Sequence, residues 1–293
     1  MTEPGTPPVI GVIGGSGLYD IEGLTNPEWR RVTTPFGDPS DALLCGELDG
    51  QPVVFLPRHG RGHRIPPSRL NARANIDALK QLGVTEVLSL SAVGSLKEDL
   101  APGTFVLVDQ FIDRTFARDK SFFDSGLVAH VSMADPTCTR LGAATAEAAR
   151  AEGIPLRVGG TYLTMEGPQF STRAESELYR AWGCDVIGMT NMPEAKLARE
   201  AELCYTPVAM VTDYDCWHEG HENVSVEQVI KILMANADKG RALVRRVVPA
   251  LAGRDVSCTA GCHRVLDTAV ITQPDARDPD MVRRLATVAG RVL

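Results

Sequence analysis

A chain of 293 residues, 44% hydrophobic and 23% charged, has the composition of a globular protein with enough apolar side chains for a sizeable core. Its formal charge of −7, with no basic stripe to meet phosphates, argues against nucleic acid as a partner. No apolar run approaches the roughly 18 residues that cross a membrane. The start MTEPGTPPVI has neither the basic nor the apolar region of a signal peptide, so a cytoplasmic protein without a membrane partner is expected.

Residues 1–8, rich in proline and glycine, read as a flexible N-terminus. VIGVIGG, from residue 9, is a buried strand running into a glycine turn. ALLCGEL and PVVFLP flank Asp49-Gly50, a dipeptide that favours a tight hairpin. Over 68–82, Leu70, Ala74, Ala78, Leu79 and Leu82 fall at helical spacing and Gly83 ends the run. VTEVLSLSAVG and TFVLVDQFI are further apolar strands, and a helix over about 138–151 stops at Gly153. TYLTMEGP then leads to a helix beginning near Ser171, with an acid early in its first turn. CDVIGMT is a short strand, PEAKLAREAEL a helix with proline at its start, and TPVAMVTD a strand. SVEQVIKILMANADKGRALVRRVVPAL is a long amphipathic helical region with an interruption expected at Gly240. Strands alternating with helices predict a single α/β domain over 9–252, with a mixed, largely parallel central sheet flanked by helices. Residues 253–293 form a C-terminal extension with no structure assigned to them. Ligands should gather at the loops that follow the strand C-terminal ends.

Several such loops carry chemistry. Gly14-Gly15-Ser16-Gly17 presents amides and a hydroxyl suited to a phosphate, yet lacks both the dinucleotide glycine spacing and the Walker lysine. Arg58-His59-Gly60-Arg61-Gly62-His63 follows a strand and could clamp an anion, although a solvated basic loop has the same composition. Ser91-Ala92-Val93-Gly94-Ser95 is a third strand end with free amides and hydroxyls, and an oxyanion needs donors from several such places. In Met165-Glu166-Gly167-Pro168-Gln169-Phe170, the aromatic could cover a flat ligand or simply fill the core. Gly188-Met189-Thr190-Asn191 ends a strand in a thioether, a hydroxyl and an amide. Thr212-Asp213-Tyr214-Asp215 places two carboxylates after a buried strand, where they are costly without partners; a purine supplies donors, and a helix cap plus a surface aspartate is the plainer reading.

The seven cysteines are odd in number and mostly scattered, as reduced thiols would be. Cys258 and Cys262, spaced CTAGC ahead of His263, admit three readings: two plain thiols, a tail disulfide, or half of a zinc site. No second ligand pair follows them, so no metal is expected.

The set GGSGL, TPFGDPSDAL, PRHGRGH, NARANIDALK, AVGSL, DQFIDRT, MEGPQFSTRAES, GMTNMPEAKLAREAE and TDYDCW, in order from about residue 9 to 250, closely resembles the trimeric purine nucleoside phosphorylases, and within them the 5′-methylthioadenosine phosphorylases. The resemblance implies the nucleoside-phosphorylase fold, a homotrimer, no metal or organic cofactor, and inorganic phosphate as co-substrate. It assigns phosphate to Ser16, Arg58, His59, Ser91, the Ala92 amide and Thr190. Met189 would lie under the ribose, and Phe170, Val93 and Ile187 would line the base. Asp213 would meet the imidazole-ring nitrogen of the purine and Asp215 its exocyclic amine. The 5′ pocket would comprise His63, Val226 and Ile230, with His130 from the adjacent chain. Gln169 departs from the arginine common at its position, and the tail after about residue 252 does not match cleanly.

The implied reaction joins methylthioadenosine and phosphate to give adenine and 5-methylthioribose 1-phosphate. Phosphate attacks the anomeric carbon of an oxocarbenium-like state while Asp213 protonates, or hydrogen-bonds to, the departing base. Aspartates at the base favour a 6-amino over a 6-oxo purine, because a 6-oxo group would face an unpaired acceptor. A general purine nucleoside phosphorylase, a phosphorylase for 5′-halogenated adenosines, a hydrolytic nucleosidase and a non-catalytic nucleoside sensor are the competing readings.

Overall fold

The computed structural model describes residues 8–15, 17–218, 226–253 and 258–293, without the side chains of 226–230. The flexible terminus expected over 1–8 therefore lies almost wholly outside the described residues, as do Ser16 and the side chains of Val226 and Ile230.

Strand β1 (Val9–Gly14) is buried on both faces, as a continuous apolar run requires. Strands β2 (Leu24–Arg30), β3 (Leu43–Leu48) and β4 (Gln51–Pro57) form an antiparallel meander. Between β3 and β4, Asp49 and Gly50 take φ of 49° and 78°, the pair of left-handed conformations that a tight hairpin uses. Strand β2 was not legible in LTNPEWR: it is largely exposed, contains Pro27 and loses register between Thr25 and Glu28. Those features are tolerated only where β2 lies, at the edge of the sheet.

Helix α1 (Ala72–Gln81) is shorter than the expected 68–82, because Pro67–Arg69 forms a separate 3-10 turn and Asn71 caps the helix by accepting from the Ala74 amide at 3.1 Å. Strand β5 (Val84–Ser95) follows. The expected TFVLVDQFI strand is split into β6 (Phe105–Leu107) and β7 (Gln110–Asp113), which pair with different neighbours. Then come α2 (Thr139–Ala151), β8 (Leu156–Val158), β9 (Thr161–Thr164), α3 (Arg173–Ala181), β10 (Val186–Gly188), α4 (Asn191–Glu200), β11 (Cys204–Asp213) and α5 (Val226–Ala250). Thr172 and Glu175 close a reciprocal capping box on α3. Helix α5 runs through Gly240 without the interruption that a glycine there allows. A Cβ there would stand 2.9 Å from Leu18 Cδ2, so the glycine serves close packing rather than a break.

The sheet runs β2-β3-β4-β1-β5-β10-β9-β7, and β11 branches from β5 toward β6 and β8. Strand β5 is the hub, parallel to β1 and β11 and antiparallel, at Gly94 and Ser95, to β10. Alternation along the strands serves two cores. On one face Val12, Phe55, Leu88 and Val208 meet α2 and α5 through Leu141, Leu243 and Val247. On the other, Leu56, Val87 and Tyr205 meet α1 and α4 through Leu79 and Leu197. This is the expected mixed, largely parallel sheet between helical layers. Two further helices, α6 (Pro279–Arg284) and α7 (Ala286–Ala289), lie in the segment set apart as an extension; Leu266, Met281, Leu285 and Val288 join the second core beside Phe122. No helix among the described residues is long and apolar enough to cross a membrane.

Candidate functional site

The C-terminal half of β5 sits where β1, β4, β10 and β11 end. Ala92 is exposed although the residues on either side of it are buried, so this stretch of the strand opens to solvent. Registers Ala209 with Ser91, Val211 with Val93, Asp213 with Gly94, and Ile187 with Gly94 bring three strands to one place.

On one side of this place lies a buried polar cluster. Arg58, only 2% exposed, donates from Nε and Nη2 to Glu194 at 2.9 and 3.2 Å, to Leu90 O at 2.8 Å and to Ser89 Oγ at 2.7 Å. These bonds engage four of its five N–H groups. Burial works against the charge on Arg58, and Glu194 more than restores it. Glu194 Oε1 also accepts from Ser89 and, at 2.8 Å, from Tyr205 Oη. Asn191 donates to Ser89 Oγ and Tyr205 Oη, and accepts from Ser91 Oγ at 3.1 Å. Thr190 Oγ1 and Tyr162 Oη are buried and meet no protein partner at hydrogen-bonding geometry among the described residues. The Ser91 and Thr190 side chains flank that Tyr162 hydroxyl.

His59 joins this side from the loop after β4. Its Nδ1 lies 2.8 Å from Ile65 O, so Nδ1 carries the proton and Nε2 is left as an acceptor in the neutral ring. Burial pushes its pKa down to about 4, which keeps the ring neutral near pH 7. Unpartnered hydroxyls, a nearly saturated arginine and a neutral histidine together suit a partly protonated oxyanion, which can both accept and donate.

On the other side stand the carboxylates. A register irregularity between Val211 and Asp213 re-aims the end of β11. Asp213 Oδ1 accepts the Asp215 amide at 2.8 Å, and its Oδ2 accepts the Thr212 hydroxyl at 2.7 Å. Asp215, at φ 53°, receives the Ser171 hydroxyl within 3.0 Å of both its oxygens. Burial raises the pKa of both acids above the ordinary carboxylate range. Gly94 allows this approach: a Cβ there would meet Asp213 Oδ1 at 3.0 Å and Asp215 Cβ at 3.3 Å.

Val93 and Ile187 are buried beside these acids, whereas Phe170 is 59% exposed in the loop before α3. Met189 packs against Gly167, where a side chain would collide with its thioether. His63 is exposed and stacks on His59, ring centroids 4.3 Å apart. His130 stands apart from this group; it is exposed and lines a cavity of about 420 Å³ with Lys120, Lys196 and Glu200.

The supports of this cluster leave no mark in the sequence. Glu194, Tyr205 and Asn191 orient Arg58 and Ser91 from up to 136 residues away, and no local pattern signals such a pairing. Arg118 donates to Met189 O at 2.6 Å, to Met192 O at 2.8 Å and to Glu166 Oε1 at 3.1 Å, bracing two site loops at once. The glycine in GMTN was a visible signal: a Cβ on Gly188 would fall inside the Tyr162 hydroxyl and 2.7 Å from its Cζ.

Residues 9–249 match the phosphorylase superfamily, to which the chain belongs. It is similar to the S-methyl-5′-thioadenosine phosphorylase of Rhodospirillum rubrum, 64% identical over the whole of both chains. The protein of that name from Cereibacter sphaeroides is 61% identical, over 97% of this chain and 98% of its own. Among solved structures, a methylthioadenosine phosphorylase from an antarctic soil metagenomic library superposes with a TM-score of 0.91 at 47% identity, covering 95% of this chain and 98% of that one. The methylthioadenosine phosphorylase of Schistosoma mansoni, in complex with adenine, gives a TM-score of 0.82 at 38% identity, over 89% of this chain and 98% of its own.

Proposed function

We infer that the chain catalyses phosphorolysis of 5′-methylthioadenosine to adenine and 5-methylthioribose 1-phosphate. The observation that carries this reading is the meeting, at the end of β5, of the buried, unpartnered hydroxyls of Thr190 and Tyr162 with two half-buried acids of raised pKa. Phosphate is held by Thr190, Ser91, the Ala92 amide, the remaining N–H of Arg58 and His59 Nε2, with Ser16 completing the set. A monoprotonated phosphate donates its own hydrogen to His59 and keeps a free oxygen for attack.

Adenine lies beside Val93 and Ile187, under the exposed face of Phe170, with Met189 against the ribose. Asp213, protonated more readily than an ordinary aspartate, delivers or shares a proton with the imidazole-ring nitrogen of the leaving base, and Asp215 accepts from the 6-amine. Phosphate on the opposite side of the sugar stabilises the positive anomeric carbon and then bonds to it, inverting its configuration. No metal or organic cofactor enters these steps.

The active unit is a cytoplasmic homotrimer, in which the exposed His130 of one subunit closes the 5′ pocket of the next, beside His63, Val226 and Ile230. The test is product formation from methylthioadenosine with and without inorganic phosphate. Adenine and the sugar 1-phosphate should appear only with phosphate; adenine release at an equal rate without it would make the protein a hydrolase. Inosine should be a poor substrate in the same assay.

A further inference from the structure

At the opposite end of β11, four cysteines from three parts of the fold come together. Cys138 precedes α2, Cys204 opens β11, and Cys258 and Cys262 come from the tail. All four are buried, and their sulfurs lie within 4.8 Å of one another, with Cys138 and Cys258 at 3.5 Å. No pair is joined as a disulfide. No second ligand pair follows CTAGC along the chain. The fold supplies that pair from upstream, and His263 instead accepts the Cys258 amide at 3.1 Å.

We propose that these four cysteines bind one zinc ion as a tetrahedral tetrathiolate that fastens the C-terminal tail to the domain. At a zinc–sulfur distance of about 2.3 Å, a tetrahedron has sulfur–sulfur edges of about 3.8 Å, within the spacing found here. The space between the sulfurs holds a single ion rather than a cluster of several. Their surroundings fit charged sulfur better than neutral thiol. Arg140 Nη2 donates to Cys204 Sγ at 3.5 Å, Arg199 Nη1 to Cys262 Sγ at 3.6 Å, and the Leu141 amide to Cys138 Sγ at 3.5 Å. The last of these sits in the first turn of α2, where backbone amides favour a thiolate. Four thiolates around a divalent ion carry a net charge of −2, and two guanidinium groups facing them offset it, one of which is also paired with Glu86. Beyond this ring the neighbours are apolar, including Leu141, Val247, Val248 and Leu251, which exclude water.

Binding requires only that each thiol lose its proton to solvent as the ion enters; no electron is transferred. The ion takes no part in phosphorolysis, since Cys204 and Asp213 are nine residues apart along one strand, about 30 Å.

The full-length protein, expressed in zinc-supplemented medium and purified without chelator or reductant, should contain about one zinc per chain by elemental analysis. Denatured with a chelator, it should show all seven thiols. Replacing zinc by cobalt should give the visible absorption of a tetrahedral thiolate site. The Cys258→Ser/Cys262→Ser double variant should lose the metal and unfold at lower temperature with kcat unchanged. Seven free thiols with only trace zinc would overturn the proposal. So would a count of three thiols, as two disulfides leave, or iron with acid-labile sulfide. Should the double variant fail to fold, the metal and thiol counts of the wild-type protein still decide the matter.

Discussion

Glu194→Gln isolates the buried charge beneath the site proposed for phosphate. In the native chain both carboxylate oxygens face Arg58 N–H groups, Oε2 toward Nε at 2.9 Å and Oε1 toward Nη2 at 3.2 Å. Whichever way a glutamine amide is flipped, its NH₂ confronts one of these donors, and the guanidinium loses its counter-charge at a position 2% exposed. Breaking a buried ion pair from one side costs about 3–5 kcal/mol. An incoming anion can replace part of that lost charge. The variant should therefore be less stable than wild type by this amount without phosphate, and should regain more stability than wild type when phosphate is added. Phosphate affinity at least tenfold tighter corresponds to about 1.4 kcal/mol of extra stabilisation. Catalysis should nevertheless fall, because Arg58 no longer holds its aim. Urea denaturation across a phosphate series reads both effects. Equal stability of the two proteins in phosphate-free buffer, or equal stabilisation by phosphate, would refute the reasoning.

Asp213→Asn should lower kcat for methylthioadenosine by about 10²-fold or more, the usual scale of lost general-acid help, with the loss smaller for substrates bearing better leaving groups. Asp215→Asn should cost about 10- to 100-fold in kcat/KM for 6-amino substrates and narrow the gap to inosine, as one charged hydrogen bond would; steady-state kinetics on both nucleosides checks the pair. Gly188→Ala drives a methyl into Tyr162 and should destabilise the protein by about 1–3 kcal/mol while raising KM for phosphate, and Tyr162→Phe should relieve part of the stability loss. For pH, His59 at about 4 binds fewer protons folded than unfolded between pH 4 and 6.5, so its contribution to stability is lost as pH falls through that window. Glu200 is pushed up to about 7 by burial and binds more protons folded than unfolded between about 4.5 and 7, so its contribution is lost as pH rises. Each shift amounts to about 3 kcal/mol, and the two oppose one another. His59→Gln should thus give a protein that weakens from pH 4.5 to 7, and Glu200→Gln one that strengthens, as denaturation midpoints across pH will report.

The strands that carry the site were legible because each is an apolar run ended by glycine, and Asp49-Gly50 announced its hairpin. The two acids at the end of β11 were legible as a pair because Asp213 and Asp215 stand two apart after an apolar run. What could not be read was whatever depends on a distant partner. Glu194 looked like an ordinary first-turn acid of α4 until Arg58, 136 residues earlier, was found against it. Cys138 and Cys204 looked like stray thiols, since their neighbours in space belong to the last forty residues of the chain. Edge strand β2 was illegible for the opposite reason: little of it is buried, so nothing imposes a pattern on its sequence.

Strand β5 has one further consequence. Ser91 and Gly94 stand three positions apart on a single strand, which β11 flanks throughout, while β1 pairs only as far as Ser89 and β10 begins at Gly94. In the proposed reading, the spacing between phosphate and base therefore follows the covalent length of one strand, like the marks on a ruler. The surfaces expected to meet the 5′ substituent hang from other parts of the chain. On that reading, a change of sugar decoration leaves the spacing set by the strand untouched.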